Sequence, residues 1–98
     1  MVIKPSVRLR QHHEPVLRIA AEVGVLNVRV FGSVLSGEDT EESDIDLLVD
    51  APKGITLFDM ARLQRQLEAD LGVSVDVMTP GDLSLGFRDQ VVREACPL

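Results

Sequence analysis

Apolar positions along the chain alternate between helical and strand spacing, and each switch marks a predicted element. After Glu14-Pro15, residues Val16, Ile19, Ala20 and Val23 fall on one helical face, with proline tolerated in the first turn. Gly24 is the expected stop. Asn27 to Phe31 reads as a strand carrying Val28, Val30 and Phe31. Gly32-Ser33 breaks it, and a short helical turn followed by a polar, acidic loop is expected through Ser43. From Asp44 to Asp50 the chain alternates, with Ile45, Leu47 and Val49 on one face and Asp44, Asp46, Leu48 and Asp50 on the other. Pro52-Lys53-Gly54 is a turn.

Thr56 with Asp59 three residues later predicts a helix N-cap and an acidic first turn, which the helix dipole favours. Met60, Leu63, Leu67 and Leu71 then repeat at helical spacing as far as Gly72. Val73 to Met78 alternates again, setting Val73, Val75 and Val77 against Ser74, Asp76 and Met78. Pro80-Gly81 ends that strand, and a last helix is expected from about Asp82 to Ala95, interrupted by Gly86. The order helix, strand, strand, helix, strand, helix predicts an α/β (α+β) fold with a small mixed sheet packed against helices. Residues 1–98 read as one domain, with no repeat or linker. The polar start, residues 1–11, is expected to be flexible unless ordered by contact with something else.

Composition narrows the function. Hydrophobic residues are 45% and charged residues 27% of the chain, as in a folded globular domain. Three Phe and no Trp or Tyr imply an aliphatic core and few platforms for stacking nucleic-acid bases. A net charge of −6 argues against coating DNA or RNA, which needs clustered Lys and Arg. An anionic ligand would instead need metal ions or backbone N–H groups. The lone Cys96 can form no internal disulfide, the start Met1-Val2-Ile3-Lys4-Pro5 lacks a signal-peptide run, and nothing approaches a membrane span. A cytoplasmic location is expected.

The chemistry concentrates in Gly32-Ser33, a ten-residue gap, and Asp44-Ile45-Asp46. Residues two apart in a strand share a face with Cα atoms about 6.5 Å apart, so Asp44 and Asp46 can reach one cation or bridge two. Like charges so close repel, and a divalent ion relieves them. Asp76, opposite its valines on another strand, is the third candidate ligand. Oxygen-only donors select hard cations, Mg²⁺ first and Mn²⁺ second. His12 and His13 are far from these carboxylates in the chain and are given no metal role. Gly32 lets a ligand approach the backbone closely, and Ser33 can turn its hydroxyl and nearby N–H groups toward a phosphate. Taken singly, each feature is ordinary: a Gly-Ser turn, a solvated strand face, an acidic loop at Glu38, Asp39, Glu41 and Glu42. Together, in this order, they read as a magnesium-assisted site for in-line displacement at phosphorus.

These residues resemble the minimal nucleotidyltransferases of the DNA polymerase β superfamily, the MNT domains. The likeness runs through Val30-Phe31-Gly32-Ser33 and Ser43-Asp44-Ile45-Asp46-Leu47-Leu48-Val49, then Leu57-Phe58-Asp59, Val75-Asp76-Val77-Met78-Thr79-Pro80 and Arg93-Glu94-Ala95. The resemblance implies a nucleotidyltransferase-like fold, with Asp44, Asp46 and Asp76 holding Mg²⁺ (two ions expected). It gives Asp44 and Asp46 the catalytic role of activating the acceptor hydroxyl, and Gly32 and Ser33 the binding of the triphosphate. It further implies an antitoxin paired with a HEPN-domain toxin, on which AMP from ATP is attached to a tyrosine. One departure stands out. Relatives commonly carry a basic residue where this chain has Ser36 before Gly37, and Arg29, Arg8 and Arg10 are the candidates to replace it. The alternative reading is an antitoxin that acts by binding alone, its acidic loop shadowing a basic groove. A subunit modifying a small molecule ranks last, because no acceptor pocket is visible.

Overall fold

The strand-spaced segments form one mixed sheet. In a computed structural model describing Ile3 to Leu98, the strands are β1 (Leu26–Phe31), β2 (Ile45–Asp50), β3 (Val75–Met78) and β4 (Cys96–Pro97). Their order across the sheet is β3-β2-β1-β4. β1 is antiparallel to both β2 and β4, whereas β2 and β3 run parallel. A parallel pair needs a crossover, and helix α4 (Leu57–Leu71) supplies it. The Thr56 hydroxyl accepts from the Asp59 N–H at 3.2 Å, and the Asp59 carboxylate accepts from the Thr56 N–H at 2.9 Å. That reciprocal cap fixes where α4 begins.

One sheet face carries the core. Ile45, Leu47 and Val49 point there with Val30 and Val75, against Val16 and Ala20 of α2 (His13–Val23) and Leu63, Leu67 and Leu71 of α4. Each fully buried leucine or isoleucine contributes roughly 2 kcal/mol over leaving it exposed. The other face is covered only at one end. There Leu48, in register with Arg29 and Met78, is fully buried, and the 3₁₀ turn Pro80–Asp82 packs on β2 just ahead of buried Leu83. Toward the start of β2, Asp46 and Asp76 on that face stay half-buried.

Four elements differ from the sequence expectation. The start carries an element that the pattern did not give: Pro5–Gln11 forms helix α1, with Pro5 and Leu9 buried, while Met1 and Val2 lie outside the described residues. β1 begins with an irregularity, because Asn27 takes φ 55 and its pairing to β2 shifts between Leu26 and Arg29. The last helix is two pieces, the turn at Pro80–Asp82 and α5 (Leu85–Glu94), separated by extended backbone at Ser84. Gly86 sits in the first turn of α5, where it interrupts nothing. Finally, Cys96 and Pro97 pair with Val30 and Arg29 as a second edge. No helix among the described residues is long and apolar enough to cross a membrane.

Asp39 explains the order in α1. Its carboxylate accepts the Ser6 N–H at 2.9 Å, satisfying a first-turn donor of α1 from 33 residues away. Burial alone would push the Asp39 carboxyl up; Ser6, its own N–H and Lys4 outweigh that and hold it below the ordinary 3.8. Asp39 is covered by near neighbours, 4% exposed, at the rim rather than deep in the domain. A depressed carboxyl stabilises the fold above its unfolded pKa and ceases to as pH falls through the lower folded value. Asp39→Ala is therefore expected to lower stability at pH 7 by about 1 kcal/mol, as loss of a helix cap does. Urea unfolding followed by circular dichroism checks this, and the gap between variant and wild type should close below pH 3.8. An equal deficit at every pH would rule out the charged cap.

Candidate functional site

The site is built where β1 ends. Phe31 pairs with Asp46 across the antiparallel ladder, so the chain leaves the sheet at Gly32 directly beside that carboxylate. Gly32 has φ 75 and ψ −153, and a Cβ placed there would overlap Asp46 Oδ2. Glycine is required twice over, by backbone conformation and by the close approach. Ser33 then opens the single-turn helix α3 (Ser33–Ser36). The Gly32 carbonyl accepts from the N–H groups of Leu35 and Ser36, both at 3.1 Å, and the Ser33 carbonyl accepts from Glu38 N–H at 3.0 Å. These bonds hold the turn in place.

The carboxylates come from adjacent elements. Asp46 and Asp76 are register partners in the parallel pair β2–β3, where neighbouring strands lie about 4.8 Å apart. Asp44 is exposed, immediately ahead of β2. Burial, then the charges of Asp76 and Asp44, push the Asp46 carboxyl above its ordinary value. In this conformation, no group of three His, Cys, Asp or Glu among the described residues closes into a ready metal shell. The donor chemistry nevertheless fits a hard divalent cation: oxygen-only ligands, unrelieved like charge, and a glycine that leaves Asp46 room. The histidines stand elsewhere, His12 Nδ1 meeting Asp70 Oδ2 at 3.3 Å.

Two of the three arginines offered as replacements for a basic residue at Ser36 are engaged elsewhere. Arg29 is buried, its Nη2 2.8 Å from Asp50 Oδ1 and its Nε donating to the Asn27 carbonyl at 3.1 Å. Arg8 Nη1 donates to the Leu71 carbonyl at 3.3 Å, beside Gly72. Only Arg10 of the three borders a cavity shared with Val34 and Leu35 of α3. Sequence reasoning missed two clefts. One, about 600 Å³, runs past Glu41, Glu42, Asp44 and Glu68 and is acidic. The other, about 490 Å³, lies between Gly32, α3 and α5 and is lined by Phe31, Leu35, Phe87 and Val91. The Phe and Val positions of α5 were the available signal, but a helix period alone does not say that they face a cleft.

The site thus sets a glycine–serine turn against acidic strand ends on a mixed sheet. Comparison with known proteins gives the class. Residues 13–97 match the nucleotidyltransferase domain family. MntA of Thermococcus cleftensis, a protein adenylyltransferase, is 41% identical over 71 residues, covering 72% of each chain. MJ0435 of Methanocaldococcus jannaschii, provisionally named a protein adenylyltransferase, is 38% identical over 80 residues, 82% of this chain and 86% of that one. A solved structure provisionally described as a minimal nucleotidyltransferase superposes with TM-score 0.85 at 49% identity, covering 95% of both chains. A toxin–antitoxin structure with AMP-PNP shares the fold at TM-score 0.72 and 23% identity, over 84% of this chain and 68% of that one. The chain belongs to the nucleotidyltransferase domain family, and it is a nucleotidyltransferase of the minimal kind.

Two outcomes follow from the Gly32–Asp46 contact. Gly32→Ala is expected to lower stability by about 1 kcal/mol or more, because alanine is strained at positive φ and meets the carboxylate; an unchanged urea midpoint would refute the close packing. Asp46 has the opposite sign. A carboxyl raised in the fold stabilises below its unfolded pKa, and that contribution is lost as pH rises through the folded value. Without divalent cations, Asp46→Asn should therefore be more stable than wild type at pH 7 and show a flatter acid-to-neutral stability profile. A destabilised Asn variant under those conditions would contradict the charge argument.

Proposed function

We propose that this chain is the antitoxin of a toxin–antitoxin pair and transfers AMP from ATP to a tyrosine hydroxyl of a HEPN-domain toxin in the cytoplasm. The observation that carries this reading is the pairing of Asp46 with Asp76 beside Gly32. It is supported by relatives named protein adenylyltransferases and by a solved toxin–antitoxin fold neighbour containing AMP-PNP. In this reading Gly32 and Ser33 orient the triphosphate through the free N–H groups that open α3. Asp44, Asp46 and Asp76 would hold Mg²⁺, which supplies charge neutralisation at the phosphates and favours ionisation of the acceptor hydroxyl. The hydroxyl oxygen bonds to the α-phosphorus as the bond to the pyrophosphate oxygen breaks. The hydroxyl proton passes to the acidic cluster or to water, and pyrophosphate departs.

One feature favours a contribution from binding as well. Glu41, Glu42, Asp44 and Glu68 line an acidic cleft at the rim of the site, suited to a basic partner surface. Incubating the protein with its partner toxin, ATP and Mg²⁺ should add the mass of AMP to a toxin tyrosine, read by mass spectrometry. Asp44→Asn and Asp46→Asn should each reduce that transfer by at least about a hundredfold, the scale of removing electrostatic stabilisation from a transfer site. Undiminished labelling by both variants would overturn the site. Full neutralisation of the toxin by both variants, without labelling, would establish the binding-only alternative.

A further inference from the structure

We propose that the cleft between α3 and α5 seats the adenine ring of the bound triphosphate, with Phe87 as its stacking platform and Gln90 and Glu94 at its edge. The proposal rests on the nucleotide-transfer reading above. Gly32 belongs to both places: it opens the phosphate-orienting turn and lines this cleft. A ligand held by its phosphates at α3 therefore reaches the cleft without leaving the surface. The volume, about 490 Å³, is ample for a base and within the range of small-ligand sites. The lining is chemically selective. A chain with only three Phe places two of them, Phe31 and Phe87, around this space, where a flat apolar ring face has a partner.

Packing does not account for this side of α5. The helix has no buried residue, and Phe87 remains 47% exposed. The polar groups match a base edge. Gln90 Nε2 donates to Glu94 Oε1 at 3.3 Å, which holds the amide and carboxylate side by side. The amide retains an N–H for a ring nitrogen, and the carboxylate can accept from an exocyclic amine. Adenine offers that acceptor and donor side by side, as N1 and the amine on the neighbouring carbon C6. Hypoxanthine replaces the amine with a carbonyl oxygen, which Glu94 repels.

Calorimetric titration of the full chain with ATP, ITP and inorganic tripolyphosphate, each with Mg²⁺, tests the proposal. ATP should bind at least about tenfold more tightly than tripolyphosphate, the scale of one base stacked on an aromatic ring. Phe87→Ala should lose that advantage and leave tripolyphosphate binding unchanged. Glu94→Gln should narrow the preference for ATP over ITP. If Phe87→Ala binds ATP as wild type does, or weakens ATP and tripolyphosphate alike, the base does not lie in this cleft. If that variant keeps ATP but loses the toxin, the cleft is a protein-docking surface and the proposal is overturned. If wild type binds neither ligand, the nucleotide-transfer reading fails and takes this one with it.

Discussion

The arrangement turns on one close approach: the Asp46 carboxylate fills the space where any residue but glycine at position 32 would carry its Cβ. The contact joins the end of β1 to the start of the site-facing side of β2, and the β1–β2 ladder fixes it in register. The turn that opens α3 and the Asp46 carboxylate are thereby held at the ends of neighbouring strands, not on separate loops. A site mounted this way inherits the rigidity of the sheet. Catalysis by positioning and charge neutralisation needs that more than it needs a reactive side chain.

The same strand shows a conflict between packing and charge. Ile45, Leu47 and Val49 are almost completely buried, so β2 cannot slip by a residue without turning aspartates into the core. Hydrophobic register therefore fixes where the charges stand. On the other face, Asp46 carries burial, Asp76 and Asp44 as three separate disadvantages to its ionised form. The opposite end of that face is treated differently: Arg29 neutralises Asp50 there at 2.8 Å. One end of the face holds a paired charge, and the other holds three acids that make no salt bridge among the described residues.

Much of this was legible in the sequence where periodicity was strong. The alternation from Asp44 to Asp50 and the helical repeat from Met60 to Leu71 each specify a face, and the Thr56–Asp59 cap marks a boundary locally. Elements lacking such a pattern escaped. α1 shows only Pro5 and Leu9 as buried anchors among charged neighbours, and its decisive partner, Asp39, is 33 residues away. β4 is two residues long and exists only because β1 offers an open edge. The candidate residues Gly32, Ser33, Asp44, Asp46 and Asp76 could be named from their types and spacing. Which of them touch could not, because the Asp46–Asp76 pairing is a matter of strand register across a crossover, and spacing carries no such information.

Two peripheral helices frame the site: α1, which the sequence hid, and α5, which it showed as a helix without showing the cleft beside it. Between the Gly32–Ser33 turn and Asp44 the chain must cross ten residues with little apolar content, a stretch with poor means of holding itself. Its fixed points are polar. Asp39 is tied to α1 through Ser6, Ser43 Oγ accepts the Thr40 N–H at 2.8 Å, and Ser43 N–H returns to the Thr40 carbonyl at 3.0 Å. Asp44 follows directly on Ser43, so the position of an otherwise exposed acid depends on a hydrogen-bonded loop anchored to the first helix. α5 closes the other side with an apolar surface that it does not bury itself. The sheet thus supplies the rigid centre, while the two peripheral helices determine how the loop is held and what can lie beside Gly32.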